Sequence, residues 1–327
     1  MKLCIIGGAG HFDYVLGGLA QGIAVDLCAV APGSAGENLG KLEARLRELD
    51  LNPRRFADWQ AMLDETRPDI VAVNPHFGDH ARINAECLRR GIHLYAEKPL
   101  ATTLDDLAEL EKLWRGSGVH LAAMFGIRYK PWFLTAHQVV QAGAIGEVRL
   151  LHAQKSYRLG QREAFYTRRD SFGGTIPWVG SHAIDWLRWF SGQEFVSVFA
   201  SHSTRANGGH GELESSAMCA FEMTGEVAAT VNIDYLRPAS APSHDDDRIR
   251  VVGSAGVIEV RNREVHLLNA AGEQILPQLS EVQCFADFVA SIRGEQPCLV
   301  SAEDSFLSTA ASLLARHAAD EKRLIRF

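Results

Sequence analysis

Two side chains in the sequence stand where they could move a proton. Lys98 stands in the segment Glu97-Lys98-Pro99, which follows a short apolar run. His182 precedes Asp185 by three residues, and this spacing places His182 and Asp185 on one face of a helix. A lysine desolvated beside a cationic ring can give and take a proton, and a histidine titrates near neutral pH. We therefore interpret Lys98 and His182 as catalytic residues, with Asp185 orienting the imidazole or binding a hydroxyl group.

A glycine-rich turn follows the first apolar run of the chain. The segment Gly7-Gly8-Ala9-Gly10-His11-Phe12-Asp13 supplies the first two glycines of the pattern G-x-G-x-x-G as Gly8 and Gly10, but Asp13 stands at the third position. Glycines in such a turn let the backbone approach a pyrophosphate at a helix amino terminus. The pattern is incomplete, and it predicts a dinucleotide site formed by Gly8, Ala9, Gly10, His11 and Phe12.

The second apolar run lacks the acid that usually binds the ribose of NAD. A carboxylate is expected about 20 residues after the turn, at the carboxyl end of the second strand. Asp26 lies at the start of this run, and the far end reads Val30-Ala31-Pro32-Gly33-Ser34. The sequence therefore gives no visible basis for choosing between NAD and NADP, and Ser34 is a candidate contact to a cofactor phosphate.

The predicted strands and helices fall into two sets along the chain. A length of 327 residues predicts two domains at roughly 100–200 residues each. Over residues 1–125, apolar runs alternate with segments of helical spacing, which predicts a Rossmann-type, doubly wound parallel sheet. Residues 126–327 contain many short strands separated by Gly, Asn and Pro, which predicts an α+β domain with a large, mostly antiparallel sheet. The predicted fold class is α/β.

The composition argues against several classes of protein. The 33 basic and 40 acidic residues give a net charge of −7, which provides no positive field for nucleic acid or anionic lipid. No apolar stretch approaches the roughly 18 residues of a membrane span, and the glycine at position 7 comes too early for a signal peptide. The six cysteines stand singly, as in a reducing compartment. We expect a cytoplasmic protein that binds neither nucleic acid nor membranes.

Neither of two polar clusters predicts a metal site. His76 and His80 are four residues apart, but no third ligand stands at a suitable spacing. The run Asp245-Asp246-Asp247 lacks the spacing of a calcium loop, and we interpret it as an exposed acidic loop. The prediction is that the protein holds no metal.

Several segments together carry a family resemblance that covers nearly the whole chain. In them the sequence resembles the Gfo/Idh/MocA oxidoreductases, whose members include inositol and glucose dehydrogenases and glucose–fructose oxidoreductase. The segments are, in chain order, 69–76 with His80, 91–100 with Glu97-Lys98-Pro99, Arg128-Tyr129-Lys130-Pro131, 143–147, Gly173-Gly174 and 180–185.

This resemblance implies an oxidoreductase that uses NAD or NADP and acts on a hydroxyl-bearing carbon of a sugar, a cyclitol or a derivative. Lys98 would exchange the hydroxyl proton with help from His182. The resemblance also implies a homodimer or homotetramer formed by the second domain. It places Asn74, Pro75, His76, His80 and Glu97 on the cofactor side. Alternate strand residues face opposite sides, so we expect Glu97 to point away from Lys98 and to help hold the turn.

One position departs from the family pattern. The sugar and inositol dehydrogenases of the family usually have an aspartate four residues before this histidine, and this sequence has Trp178 there. A tryptophan cannot relay a proton, but it can stack on a sugar ring. Arginine forks bind oxyanions, so their convergence would favour a carboxylated, phosphorylated or multiply hydroxylated substrate. The other candidate substrate contacts are Arg128, Tyr129, Lys155 and Arg162.

Two alternatives stay open from the sequence. Trp178 is compatible with an enzyme that uses bound cofactor for transient oxidation, as in epimerisation or glycoside cleavage. Trp178 and the incomplete glycine turn are also compatible with a dinucleotide-binding sensor or regulator that performs no turnover, since one fold hosts several functions.

Overall fold

The structure is a computed structural model that describes residues 1–327. The chain forms two compact units. The first contains residues 1–126, 170–172 and 282–309, and the second contains residues 127–169, 173–281 and 310–327. The boundary predicted at residue 125 therefore marks only the first point at which the chain passes from one unit to the other, because residues 282–309 belong to the first unit again.

Strands and helices alternate along residues 1–126. The elements are β1 (Lys2–Ile6), α1 (Asp13–Ala20), β2 (Asp26–Ala31), α2 (Gly40–Glu48), β3 (Arg54–Arg55), α3 (Trp59–Thr66), β4 (Ile70–Val73), α4 (His80–Arg89), β5 (His93–Ala96), α5 (Leu104–Arg115) and β6 (Leu121–Ala123).

Strands dominate the rest of the chain. The elements are α6 (Pro131–Gln141), β7 (Val148–Tyr157), α7 (Arg169–Phe172), α8 (Ser181–Ser191), β8 (Phe195–Ser203), β9 (Ser216–Met223), β10 (Val227–Asp234), β11 (Asp245–Gly253), β12 (Gly256–Arg261), β13 (Glu264–Asn269), β14 (Gly272–Ile275), α9 (Cys284–Ile292), α10 (Ala302–Glu321) and β15 (Ile325–Arg326).

The first unit is built on a six-stranded parallel sheet with the order β3-β2-β1-β4-β5-β6. Its central strand β4 is completely buried, as the uninterrupted apolar run Ile70–Val73 requires of a strand covered on both faces. Side chains at helix starts fix the element boundaries: Asp58 accepts hydrogen bonds from the N–H groups of Gln60 and Ala61, which begins α3. The predicted doubly wound parallel sheet is confirmed.

The second unit is built on a nine-stranded sheet with the order β14-β13-β12-β11-β7-β10-β9-β8-β15. All neighbouring strands are antiparallel except β7 and β10, so the predicted mostly antiparallel sheet is confirmed. Buried and exposed residues alternate along β10, which gives the sheet one face covered by helices and one open face.

The interpretation of Asp245–Asp247 as an exposed loop is wrong. These residues begin β11, and Asp247 is only 8% exposed. The strand register places Asp247 opposite Lys155 of β7, and the two charges lie 2.7 Å apart. The buried lysine accounts for the burial of the acid, because a charge leaves water only when it is paired.

None of the helices combines the length and the apolar composition that crossing a membrane requires.

Candidate active site

Two glycines in the first turn permit close approaches that a side chain would block. Gly7 and Gly10 have φ of +88° and +76°. A Cβ on Gly7 would overlap the backbone of Asn74 and Pro75, and a Cβ on Gly10 would overlap the carboxylate of Glu97. The turn therefore lies against the carboxyl ends of β4 and β5, which is the edge where open α/β sheets bind ligands.

Glu97 holds the glycine turn. Its buried carboxylate accepts hydrogen bonds from the N–H of His11 at 2.5 Å and from His11 Nδ1 at 2.8 Å. The second oxygen accepts the N–H of Lys98 at 2.8 Å. Burial would raise the pKa of Glu97, but the charge and hydrogen bond of His11 and the ammonium of Lys98 hold this pKa below its usual range. Glu97 is thus a carboxylate that joins the turn to the strand end carrying Lys98.

A second carboxylate, which the sequence pattern missed, also binds the turn. Glu37 accepts the N–H of Gly8 at 2.8 Å, the N–H of Gly33 at 2.8 Å and the N–H of Ser34 at 3.1 Å. It lies in the loop beyond β2, whereas the pattern expects an acid at the last residue of that strand. The loop folds back and places this carboxylate beside the ends of β1 and β2.

Ser34 is engaged in a way that does not suit a phosphate contact. Its hydroxyl donates to Asp79 at 2.7 Å and accepts the N–H of His76 at 3.0 Å. A hydroxyl has one proton to donate, and here that proton points at a carboxylate. Ser34 therefore orders the loop that carries His76, and the charge of Asp79 is paired with Arg82 at 2.8 Å.

Asn74 and Pro75 lie at the carboxyl end of β4 and are fully enclosed by protein. Neither the oxygen nor the nitrogen of the Asn74 side-chain amide has a hydrogen-bond partner within the protein. Buried polar groups are nearly always satisfied, so an amide in this position indicates a ligand that supplies the missing partners. Together with the glycine turn, it fits a dinucleotide.

His80 contributes to this region from inside the protein. The ring is completely buried, with Nδ1 lying 2.7 Å from the carbonyl oxygen of Pro99 and Nε2 lying 3.3 Å from that of Pro75. Burial lowers the pKa of His80. Both ring nitrogens face backbone carbonyls, so His80 joins the segments around the two prolines.

Lys98 directly follows the end of β5, and its side chain is only 1% exposed. The peptide bond between Lys98 and Pro99 is cis. A lysine that merely terminated a strand would extend into solvent, because its ammonium is strongly hydrated. The burial of Lys98 beside Glu97 distinguishes it from such a surface lysine.

In the second unit, His182 stands in the first turn of α8, and a π-helical turn, Ile176–Gly180, precedes that helix. Trp178 lies in this turn and is 7% exposed, and His182 is 2% exposed. Single π-turns are frequent at functional sites. The turn thus delivers both side chains that the sequence singles out to one short, buried segment.

Glu214, which the sequence analysis did not identify, anchors the start of that segment. Its buried carboxylate accepts the N–H of Thr175 at 2.9 Å, and its backbone carbonyl accepts the Thr175 hydroxyl at 2.7 Å. Arg169 forms an ion pair with the same carboxylate. No local motif marks Glu214, because it reaches Thr175 from a distant part of the chain.

Arg128 and Asp185, both predicted to contact substrate, bind each other. The guanidinium Nε lies 2.7 Å from one carboxylate oxygen and a terminal nitrogen lies 2.6 Å from the other. Arg128 is 2% exposed and Asp185 is fully buried. Each charge is neutralised by its partner, so this pair fixes α8, which carries His182, to the segment before α6.

The remaining predicted substrate contacts fall into different environments. Tyr129 is buried. Lys155 is fully buried beside Asp247, and its Nζ lies 5.4 Å from the ring centroid of Trp186. Arg162 is half-buried and lies over the ring of Tyr235 at 4.8 Å. Lys155 and Arg162 therefore lie near the helix-covered face of the nine-stranded sheet.

The chain combines a Rossmann sheet and its glycine turn with a second, α+β domain and a buried lysine at a strand end. These features define an oxidoreductase of the two-domain, dinucleotide-binding class. Two family models match the chain. The oxidoreductase family with an NAD-binding Rossmann fold matches residues 35–125, and the GFO/IDH/MocA C-terminal domain matches residues 133–259.

Known proteins agree with this assignment. The solved structure of a candidate oxidoreductase from Thermotoga maritima is 46% identical, with a TM-score of 0.97 over 100% of both chains. Myo-inositol 2-dehydrogenase from Thermotoga maritima is 24% identical over 305 residues, which cover 87% of this chain and 88% of the relative. Levoglucosan dehydrogenase in complex with NADH and L-sorbose shares the fold, with a TM-score of 0.84 and 16% identity over 100% of this chain and 98% of its own.

The chain belongs to the Gfo/Idh/MocA family of NAD-binding oxidoreductases.

Proposed function

We propose that the protein is an NAD-dependent dehydrogenase that oxidises a hydroxyl-bearing carbon of a sugar, a cyclitol or a derivative. The observation that carries this proposal is the burial of Lys98 at the carboxyl end of β5, next to the carboxylate that holds the glycine turn. A buried amine in this position can take a proton from a substrate hydroxyl at its Nζ. The inositol dehydrogenases among the relatives support the substrate class.

The residues of the first unit that would hold the dinucleotide are those of the glycine turn, together with the unsatisfied amide of Asn74. NAD, when bound, supplies the hydride acceptor. Pro75 has no N–H and stiffens the wall next to Asn74. His80 keeps that wall and the segment after Lys98 in fixed positions through its two carbonyl contacts.

We infer that the cofactor is NAD and that NADP is discriminated against. Glu37 lies beside the ends of β1 and β2, where a Rossmann fold receives the adenosine ribose. A carboxylate there can accept a hydrogen bond from the 2′-hydroxyl and repels a 2′-phosphate.

In the second unit, His182 and Trp178 are the side chains that we assign to the substrate. His182 would bond the reacting hydroxyl and help to move its proton, and Trp178 would pack on the apolar face of the substrate ring. The buried segment that carries both is anchored by Glu214, so their positions are fixed before substrate arrives.

We also infer that copies of the chain associate through the open face of the nine-stranded sheet. This face exposes large apolar side chains, namely Phe199 and Met218 on the neighbouring strands β8 and β9, and Leu150 on β7. An apolar face of this kind is typical of a homodimer or homotetramer interface. Sedimentation should detect an oligomer that Phe199→Glu dissociates, and a monomeric wild type would exclude this interface.

The function is tested by titrating the protein with NADH, followed by a screen of polyols, sugars and cyclitols with NAD at the nicotinamide absorbance band. We expect saturable NADH binding and reduction of NAD with at least one compound. Binding of NADH without turnover of any compound would favour the sensor, and failure to bind NADH would contradict both functions.

A further inference from the structure

Polar atoms without partners cluster on the helix-covered face of the sheet in the second unit. The hydroxyl of Tyr235 and the indole nitrogen of Trp186 have no hydrogen-bond partner, although the side chains are only 3% and 0% exposed. The Nε of Arg162 is also buried without a partner. Leaving a buried donor unsatisfied costs on the order of 1–3 kcal/mol, so three donors in one region indicate a missing acceptor.

Contacts join these donors to Lys155. Arg162 lies 4.8 Å from the ring centroid of Tyr235, and the ring of Tyr235 lies 6.4 Å from that of Tyr157. The Nζ of Lys155 lies 4.8 Å from the Tyr157 ring and 5.4 Å from the Trp186 ring. We call Lys155, Arg162, Trp186 and Tyr235 the donor cluster.

The donor cluster is adjacent to the segment that carries His182. The strand register pairs Lys155 with Ile233 of β10, and a Cβ on Gly180 would overlap the side chain of Ile233. Gly180 ends the π-helical turn directly before α8, the helix that contains both His182 and Trp186. A substrate held near His182 can therefore extend over the donor cluster.

The acids of this region are paired with cations other than Arg162, and Glu214, which lies near Tyr235, is paired with Arg169. Asp247 neutralises Lys155 at 2.7 Å, and Asp245 lies 3.6 Å from Arg263. Neither Arg158 nor Arg162 has a carboxylate oxygen within 4 Å; Arg158 donates to the carbonyl of Ala241, and Arg162 to the carbonyl of Arg158.

Two neighbouring groups stay neutral and add no compensating charge. Burial, together with the charges of Arg162 and Arg158, lowers the pKa of His244, so its imidazole is neutral near pH 7. Burial raises the pKa of Tyr235, which therefore keeps its proton and acts as a donor.

We propose that the donor cluster binds an anionic oxygen group of the substrate, so that the substrate is a sugar or cyclitol derivative carrying a carboxylate or a phosphate. This inference rests on the proposed dehydrogenase function. The guanidinium of Arg162 supplies charge and paired donors to the oxyanion, and Tyr235 and Trp186 supply single neutral donors. A neutral hydroxyl in the same place would leave the guanidinium charge of Arg162 uncompensated.

The test measures binding to the NADH-loaded protein by calorimetry, which needs no turnover. The probes are D-glucuronate, D-glucose 6-phosphate and D-glucose, which share a ring and differ in the substituent at one carbon. We expect one of the two anions to bind at least about tenfold more tightly than glucose, as a charge-assisted hydrogen bond requires. The better anion identifies the substituent as a carboxylate or a phosphate.

Variants locate the effect. Arg162→Gln should weaken binding of the preferred anion by roughly 10- to 150-fold and Tyr235→Phe by roughly 3- to 10-fold, with little change for glucose. Tyr235→Phe removes only the unsatisfied hydroxyl and keeps the ring packing. Arg188→Gln, at the other end of α8 in a surface pair with Glu194, is the control and should bind all probes as wild type does.

Three results would overturn the inference: no binding of either anion, glucose binding as tightly as the anions, or anion affinity unchanged in both variants. A failure of the dehydrogenase function is distinguishable, because it appears as a loss of NADH binding or of turnover. Anion binding that survives without turnover would leave the donor cluster supported and the enzyme in doubt.

Discussion

The guanidinium of Arg128 and the carboxylate of Asp185 form a two-pronged ion pair, with nitrogen–oxygen distances of 2.6 and 2.7 Å, that is almost completely excluded from water. Breaking such a pair by removing one partner leaves a buried charge uncompensated, which costs about 3–5 kcal/mol. Asp185→Ala should therefore lower the free energy of unfolding by about that amount, measured by urea denaturation.

The double variant Arg128→Met with Asp185→Leu should recover much of this stability, since no charge remains buried. Glu194→Ala, which removes an exposed ion pair with Arg188, is the control and should cost less than about 1 kcal/mol. If Asp185→Ala left stability within 1 kcal/mol of wild type and raised KM alone, the substrate role predicted from the sequence would be correct instead.

His137 makes the stability of the second unit depend on pH. Its ring stacks on Trp189 with centroids 4.0 Å apart, and burial, with a smaller effect from the charge of Arg128, lowers the pKa of His137 to about 4 from 6.5. The unfolded chain takes up a proton below pH 6.5 that the folded chain refuses until about pH 4. Stability from this residue is thus complete above pH 6.5 and is lost as pH falls.

In His137→Gln, the free energy of unfolding should fall less steeply between pH 6.5 and 4 than in wild type, by up to about 1.4 kcal/mol per pH unit. The exposed His317→Gln serves as the matched histidine control. Parallel curves for wild type and His137→Gln would show that His137 is protonated in the folded protein in this range.

Glu37 should determine cofactor choice. The wild type should bind NADH at least about tenfold more tightly than NADPH, because a 2′-phosphate would approach the carboxylate of Glu37. Glu37→Gln keeps the size of the side chain and should reduce the ratio severalfold, as fluorescence titration with both cofactors would show. Glu43→Gln, in α2, is the control. Equal affinity of wild type for the two cofactors would agree with the sequence analysis and contradict this role.

Local sequence patterns predict the fold well because the residues that specify each helix or strand lie within a short segment of the chain. The buried run Ile70–Val73 indicates a central strand of a parallel sheet, and Asp58 caps a helix where its type predicts a cap. The same holds for Lys98 and Glu97, since a strand end fixes where both residues lie.

Local sequence patterns do not predict contacts between side chains that are far apart along the chain. Glu37 reaches Gly8 because a loop folds back, and Glu214 reaches Thr175 from another part of the second unit. The pairing of Lys155 with Asp247 depends on strand register, which composition does not encode. Tyr235 emerges as a candidate only when its hydroxyl is found buried without a partner.

The role of Lys98 is tested by the kinetics of Lys98→Met, which removes the amine and keeps an unbranched apolar side chain of similar length in the buried position. With a substrate identified by the screen, kcat should fall by roughly 10²- to 10⁴-fold, as loss of a general acid–base predicts, while the Kd for NADH stays within a few-fold of wild type. A variant that turned over at close to the wild-type rate would contradict the assignment of Lys98.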